Sequence, residues 1–434
     1  TVENEYLIRL IYEYNPQLAA RPIPVPEFRR DLYTEIEPWL PKKQAIAIVG
    51  LRRTGKTTLM RQIMEETRGN KKSFFFSFDE EVTQKKEVLV FVIDYAINAL
   101  GADTLFLDEI HYVDDWEGTL KRYYDQKGLK FILSGSESLE ISNAKATLAG
   151  RLVTFRLNPL SFREYLAMKG TAIDTHGAAL DDYAAMNRLY LQCLTRKEYF
   201  EHEFLEYLYK GAFPEIVHEN DSVLIRKYIH DLVIKKIIYQ DIPATFDVRR
   251  RDILNEIFRY ACETSSGLFD IQNLSRIFGV HYETATSYLF YLRASFLVRV
   301  AESWTGSPAK RARRNKKLYV IHPSIACAVL GYDRPQLVEQ LLGRYVETLF
   351  AGDYFWRDEK KREVDVVRER GNTLIPVEVK YQNRISPSDA KNILAFMDTR
   401  HIGTGIIITR NMMEMTTTSG NDILYIPAWL ALLI

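Results

Sequence analysis

Residues 45–60, AIAIVGLRRTGKTTLM, constrain this chain more than any other stretch. An apolar, β-branched run ends in Gly50-Leu51-Arg52-Arg53-Thr54-Gly55-Lys56-Thr57, which satisfies the phosphate-binding pattern G-x-x-x-x-G-K-[ST] in full. Two glycines let the backbone curl so that its N–H groups face inward around phosphate oxygens. Lys56 adds a point charge for the β- and γ-phosphates, and Thr57 offers a hydroxyl to Mg2+. Arg52, Arg53, Thr54 and Thr58 complete the expected nucleotide-contacting set. The helix predicted next, with Leu59 and Ile63 on its apolar face, turns its positive end toward the anion. Strand, loop and helix in this order imply a parallel α/β sheet with a nucleoside triphosphate at the carboxyl ends of its strands.

The rest of 44–156 fits that sheet. Apolar strands are expected at Ser73–Phe78, Thr104–Leu107 and Lys130–Leu133, with helices near 87–100 and 116–126 between them. The strand at 104–107 ends in Asp108-Glu109. A carboxylate at a strand end can hold Mg2+ and its neighbour can polarise an attacking water, so Asp108 is assigned to the metal and Glu109 to the water. Ser134, after the next strand, is either a γ-phosphate sensor or a turn-former beside Gly135. Arg151 reads as an arginine reaching a nucleotide in its own or a neighbouring subunit, or as a solvated side chain.

Residues 157 to about 245 read as helical. From 249 to 321 the pattern changes to three helices and two strands, the parts of a winged helix-turn-helix. Leu254, Ile257, Phe258 and Ala261 form one apolar stripe and Ala285, Tyr288, Leu289 and Leu292 another. Between the strands, Lys310, Arg311, Arg313, Arg314, Lys316 and Lys317 make a basic loop without an acid. Such a loop either tracks a DNA phosphate backbone or is simply solvated. From about 335 the pattern returns to α/β. Glu347, Asp365, Glu378 and Lys380 follow the order of a PD-(D/E)xK nuclease core, in which the acids hold metal and the lysine orients water. Strand alternation puts Glu378 and Lys380 on one face. Glu363 leaves the register of the second acid open, and an amphipathic strand with an exposed ion pair explains the same residues.

The whole-chain numbers bound these readings. With 434 residues and a net charge of +1, several cores are expected and any basic surface must be local. Three cysteines far apart suggest neither metal site nor disulfide framework, which suits a reducing cytoplasm. No apolar run has membrane-spanning length, and the first residues carry charges throughout, unlike a signal peptide.

GLRRTGKTTLM, LFLDEIHYVDDWE, ILSGSES and LAGRLVTFRLNPLSFREYL together resemble the prokaryotic AAA-type ATPases often called archaeal ATPases, relatives of the signal-transducing STAND ATPases. YLYKGAFPEIV resembles that family's lid, and YFWRDEKKREVDVV with IPVEVKY its C-terminal half. The resemblance implies ATP and Mg2+ as cofactors, a winged helix and a nuclease-like end domain. The expected fold is α/β multidomain. It comprises a P-loop NTPase parallel sheet with helices on both faces over 1–156, a helical lid over 157–248 and a winged helix over 249–325. A restriction-endonuclease-like domain follows over 335–434. Two functions remain open: an ATPase acting on DNA through the winged helix and a nuclease, or a nucleotide-operated switch with a protein partner and a silent end domain.

Overall fold

The computed structural model describes residues 2–67, 72–135, 147–305, 315–337, 342–371, 373–418 and 420–434. They form two compact units, residues 1–158 with 244–247, and residues 159–243 with 248–434.

The first unit is built on five strands: β1 (Ala45–Gly50), β2 (Ser73–Ser77), β3 (Thr104–Asp108), β4 (Lys130–Gly135) and β5 (Leu152–Leu157). Their order is β2-β3-β4-β1-β5, and every pairing is parallel. Helices Lys56–Thr67, Lys86–Asn98 and Trp116–Lys127 make the crossovers that parallel neighbours require. Because both faces are covered, β1, β3 and β4 are buried along their whole length and read as near-continuous apolar runs. Ile46, Ile48, Leu59, Met60, Ile63, Phe75, Phe106 and Ile132 share one core. Ile23 joins this core, as do Leu32 and Tyr33 of the short helix Leu32–Ile36. At the sheet edge, the buried Asn15 amide donates to Phe75 O at 2.7 Å and accepts from Phe75 N at 2.8 Å, giving β2 the backbone partner that an edge strand lacks.

The second unit begins with helices that include Phe162–Met168, Tyr183–Cys193 and Lys197–Lys210. Helices Arg251–Glu263, Ile271–Phe278 and Tyr282–Ala294 follow, interleaved with strands β6 (Gly267–Phe269), β7 (Val298–Ser303) and β8 (Lys316–Val320). The two apolar stripes expected on the first and third of these helices are buried, whereas Ile277 on the second is half exposed. The remaining strands are β9 (Tyr354–Arg357), β10 (Glu363–Arg370), β11 (Thr373–Lys380), β12 (Thr404–Thr409), β13 (Glu414–Thr418) and β14 (Asn421–Pro427).

One sheet of nine strands runs through this unit in the order β13-β14-β12-β11-β10-β9-β7-β8-β6. The join is a short parallel pairing, Glu302↔Tyr354 and Ser303↔Phe355, reinforced by Glu302 N donating to Asp353 O at 2.8 Å. The sheet therefore crosses from the segment read as a winged helix into the end domain. Cys193, Cys262 and Cys327 are free and buried. Among the described residues, no helix is long and apolar enough to cross a membrane.

Candidate functional site

β1 delivers the phosphate loop against β5. Gly50 has φ +156°, and a Cβ there would lie 2.3 Å from Leu157 O, so only glycine permits the strand to pass this close. Gly55, at φ +98°, lets the loop turn into the helix that starts at Lys56. The loop is braced from within and from outside. Thr54 Oγ1 donates to Leu51 O at 2.8 Å, and Arg30 donates to Thr54 O at 2.6 Å and to Asn158 O at 2.8 Å. Arg30 carries no motif, and nothing in its sequence context marks it as a brace. The Lys56 ammonium lies over the loop, donating to Gly50 O and Leu51 O, each at 3.1 Å. Arg52 pairs loosely with Asp79 at 3.8 Å, Arg53 sits at φ +62°, and Thr58 is exposed on the helix.

β3 carries the acids to the same place. Asp108 is 3% exposed. Thr57 Oγ1 donates to its Oδ2 at 2.8 Å, and the Ser134 hydroxyl donates to its Oδ1. Ser134 Oγ also accepts from Glu109 N at 3.0 Å, so one serine on β4 fixes both acids. β4 lies between β1 and β3 in the sheet, which is why its end falls between the loop and the acid pair. Burial, then the neighbouring Glu109 charge, push Asp108 up to about 6, against the hydroxyls and Lys56. Glu109 adopts φ +53°, a left-handed turn just after the strand, and His111 Nδ1 lies 3.4 Å from its Oε2. Lys56, Thr57, Asp108, Glu109 and Ser134 thus meet at the carboxyl ends of three neighbouring strands. Asp108, a buried carboxylate beside the Thr57 hydroxyl, has the hard-oxygen chemistry that Mg2+ takes. Arg151 forks onto Asp125 of its own unit at 2.9 and 3.1 Å.

The second group of expected residues also converges, with one correction. Lys310, Arg311, Arg313 and Arg314 lie outside the described residues. Lys316 is partly exposed and pairs with Glu302 at 3.2 Å. Lys317, expected to contact DNA, is instead 2% exposed. Its Nζ lies 2.9 Å from Glu347 Oε1, 2.7 Å from Glu363 Oε1 and 3.3 Å from Asp365 Oδ1. Two residues along β8, Tyr319 donates to the same Glu347 Oε1 at 2.9 Å. Asp365 Oδ2 accepts from Val379 N at 2.9 Å. Glu378 and Lys380 pair at 2.8 Å as the alternation requires, but Glu378 is buried, so this is not an exposed surface pair.

Burial, then Asp365, push Glu347 up to about 7 and Glu378 up to about 8. Burial works against the Lys317 charge, yet Asp365 and Glu347 hold the ammonium well above its usual range. These directions agree on a charged Lys317 and on a Glu347 and a Glu378 that resist ionising. Among the described residues, no group of three or more His, Cys, Asp or Glu side chains is arranged to hold a metal ion. Of the acids that the nuclease pattern assigned to metal, Glu347 and Asp365 share the Lys317 ammonium and Glu378 pairs with Lys380.

Residues 42–166 match the model of a family described as an AAA domain. Residues 201–336 and 337–429 match two domains of unknown function, DUF8612 and DUF4143. An uncharacterized protein of Haemophilus influenzae is 22% identical, covering 88% of this chain and 93% of its own. The uncharacterized protein MJ1637 of Methanocaldococcus jannaschii is 23% identical over 98% and 92%. Among solved structures, Cdc6p from Pyrobaculum aerophilum is 12% identical with a TM-score of 0.30, covering 73% of this chain and 97% of its own. A Thermotoga maritima RuvB mutant is 17% identical with a TM-score of 0.31, over 70% and 93%. Residues 42–158 of the AAA match fall on the unit that holds the phosphate loop, and 159–166 on the other.

Proposed function

We propose that this chain binds ATP with Mg2+ and hydrolyses it at residues 50–57, and that its C-terminal half responds to the nucleotide state. The observation that carries this reading is the Ser134 hydroxyl, which joins Asp108 to the Glu109 amide while Thr57 holds the other Asp108 oxygen. The AAA similarity of residues 42–166 supports it.

The backbone of Gly50 to Gly55 cradles the phosphates, with Arg52, Arg53, Thr54 and Thr58 around it. Lys56 exchanges its loop carbonyls for the β- and γ-phosphate oxygens. Thr57 and Asp108 would hold Mg2+, which supplies charge neutralisation on those oxygens when bound. Glu109 orients and polarises the water, and Ser134 keeps both acids in register. Arg151, paired with Asp125 in this structure, reaches a nucleotide in its own or a neighbouring copy only by leaving that pair.

For the C-terminal half, helix Tyr282–Ala294 presents Tyr282, Glu283, Thr286 and Arg293 outward, and with the basic loop it would serve a winged helix on DNA. The burial of Lys317 among Glu347, Glu363 and Asp365 favours the other reading, a nucleotide-operated switch for a protein partner with a silent end domain.

ATP turnover by wild type, Lys56→Ala and Glu109→Gln, each with and without duplex DNA, tests the proposal. Lys56→Ala is expected to lose nucleotide binding. Glu109→Gln is expected to bind ATP and turn it over ~100-fold or more slower, the usual contribution of a positioned base. A wild type that neither binds nor hydrolyses ATP defeats the proposal. Turnover stimulated by DNA moves the C-terminal half back to the DNA reading.

A further inference from the structure

We propose that Lys317 is a built-in cation: its ammonium takes the place of a divalent metal among Glu347, Glu363 and Asp365, making the cluster a structural joint between β8 and the end domain. This goes beyond a silent end domain, because it assigns the carboxylates a role and names what excludes the metal. It does not depend on nucleotide turnover.

Three carboxylate oxygens lie 2.7–3.3 Å from Nζ, as many as the ammonium has protons. The Phe355 ring completes the enclosure, 5.5 Å from Nζ to its centroid. An ammonium that is 2% exposed persists only when paired in this way. Three further oxygens of the cluster are also engaged. Asp365 Oδ2 takes Val379 N, Glu363 Oε2 takes Arg357 at 2.7 Å, and Glu378 Oε1 takes Lys380. Glu378 Oε2 is buried with no hydrogen-bond partner among the described residues, and a single oxygen does not hold a metal. Magnesium needs about six oxygens at roughly 2.0–2.1 Å. Here the inward oxygens stand at hydrogen-bond distance from a nitrogen instead.

The origin of the lysine gives the joint its purpose. Lys317 lies on β8, paired with Ala301 of β7 and Leu268 of β6, whereas Glu347 is on helix Leu342–Phe350 and Glu363 and Asp365 are on β10. One ammonium therefore ties the three-stranded segment to two elements of the end domain, beside the short β7–β9 pairing.

The test is Mn2+ binding by full-length protein without nucleotide, followed by electron paramagnetic resonance, together with Mn2+-dependent cleavage of supercoiled and single-stranded DNA. Wild type, Asp365→Asn, Lys317→Met and the double variant are compared. Wild type should take up no Mn2+ that Asp365→Asn removes, and should not cleave DNA. Lys317→Met keeps the stem but lacks the charge. It should gain one Mn2+ site, at least tenfold tighter than any that wild type shows, and the double variant should lose it. A wild-type Mn2+ site abolished by Asp365→Asn overturns the proposal, as does folded Lys317→Met without Mn2+ uptake. If Lys317→Met does not fold, the comparison of wild type with Asp365→Asn decides alone.

Discussion

His322 is a buried titratable residue outside the two clusters. It caps helix Pro323–Leu330, with Ser324 N donating to its Nδ1 at 3.1 Å, so the ring proton sits on Nε2. Nε2 is buried with no hydrogen-bond partner among the described residues, and the Tyr207 ring packs edge-on with centroids 4.8 Å apart. Burial therefore pushes His322 down from 6.5 to about 3. Between those values the unfolded chain binds a proton that the native state refuses, so stability is complete above about pH 6.5 and falls as the pH drops toward 3. One proton is worth about 1.4 kcal/mol per pH unit, and the loss across the window is a few kcal/mol. His322→Asn keeps a cap acceptor and removes the titration. Urea unfolding between pH 4 and 6.5 should show a slope shallower by about one proton in the variant. Equal slopes would mean that the ring is protonated in the native state.

Strand pairing decides the fate of the end domain. A fragment of residues 335–434 keeps Glu347, Glu363 and Asp365 but loses Lys317, and it exposes the β9 edge that β7 covers. Removing one partner of a buried ionic cluster costs about 3–5 kcal/mol. That fragment should unfold at markedly lower urea than one beginning at residue 249, and equal midpoints would show that the joint contributes nothing. The same elements show what a sequence displays and what it hides. The phosphate loop and the strand ending in Asp108-Glu109 are legible because their chemistry lies in consecutive residues. Ser134 is open because its partners are 25 and 26 residues away, at the end of another strand. Lys317 was hidden in a basic run, although Tyr319 two positions on shares its strand face and reaches the same Glu347 oxygen. β12 and β14 were not expected. A run such as Ile406-Ile407-Ile408 suits a buried helix as well as a strand, and periodicity alone does not separate them. The β7–β9 pairing joins residues some fifty positions apart and leaves no local mark.

At the scale of the whole chain, the phosphate loop and its acids lie in one compact unit, while the lysine-centred cluster lies in the other. A ligand that binds only the native first unit raises that unit's stability by RT ln(1 + [L]/Kd), about 2.7 kcal/mol at a hundredfold excess over Kd. For a unit of this size, ~1 kcal/mol moves the midpoint by roughly 2–4 °C. A slowly hydrolysed ATP analogue with Mg2+ should therefore raise the first unit's melting transition by about 5–10 °C in calorimetry, and Lys56→Ala should abolish the rise. The second unit contains no part of the phosphate loop, so direct binding leaves its transition where it was. A switch demands more, because a nucleotide shifts an equilibrium only by its differential affinity for the two states. Movement of the second transition with nucleotide in wild type, and not in Lys56→Ala, would be the coupling that the switch reading requires. A second transition fixed at every analogue concentration would confine the nucleotide's effect to its own unit and remove the basis for a switch.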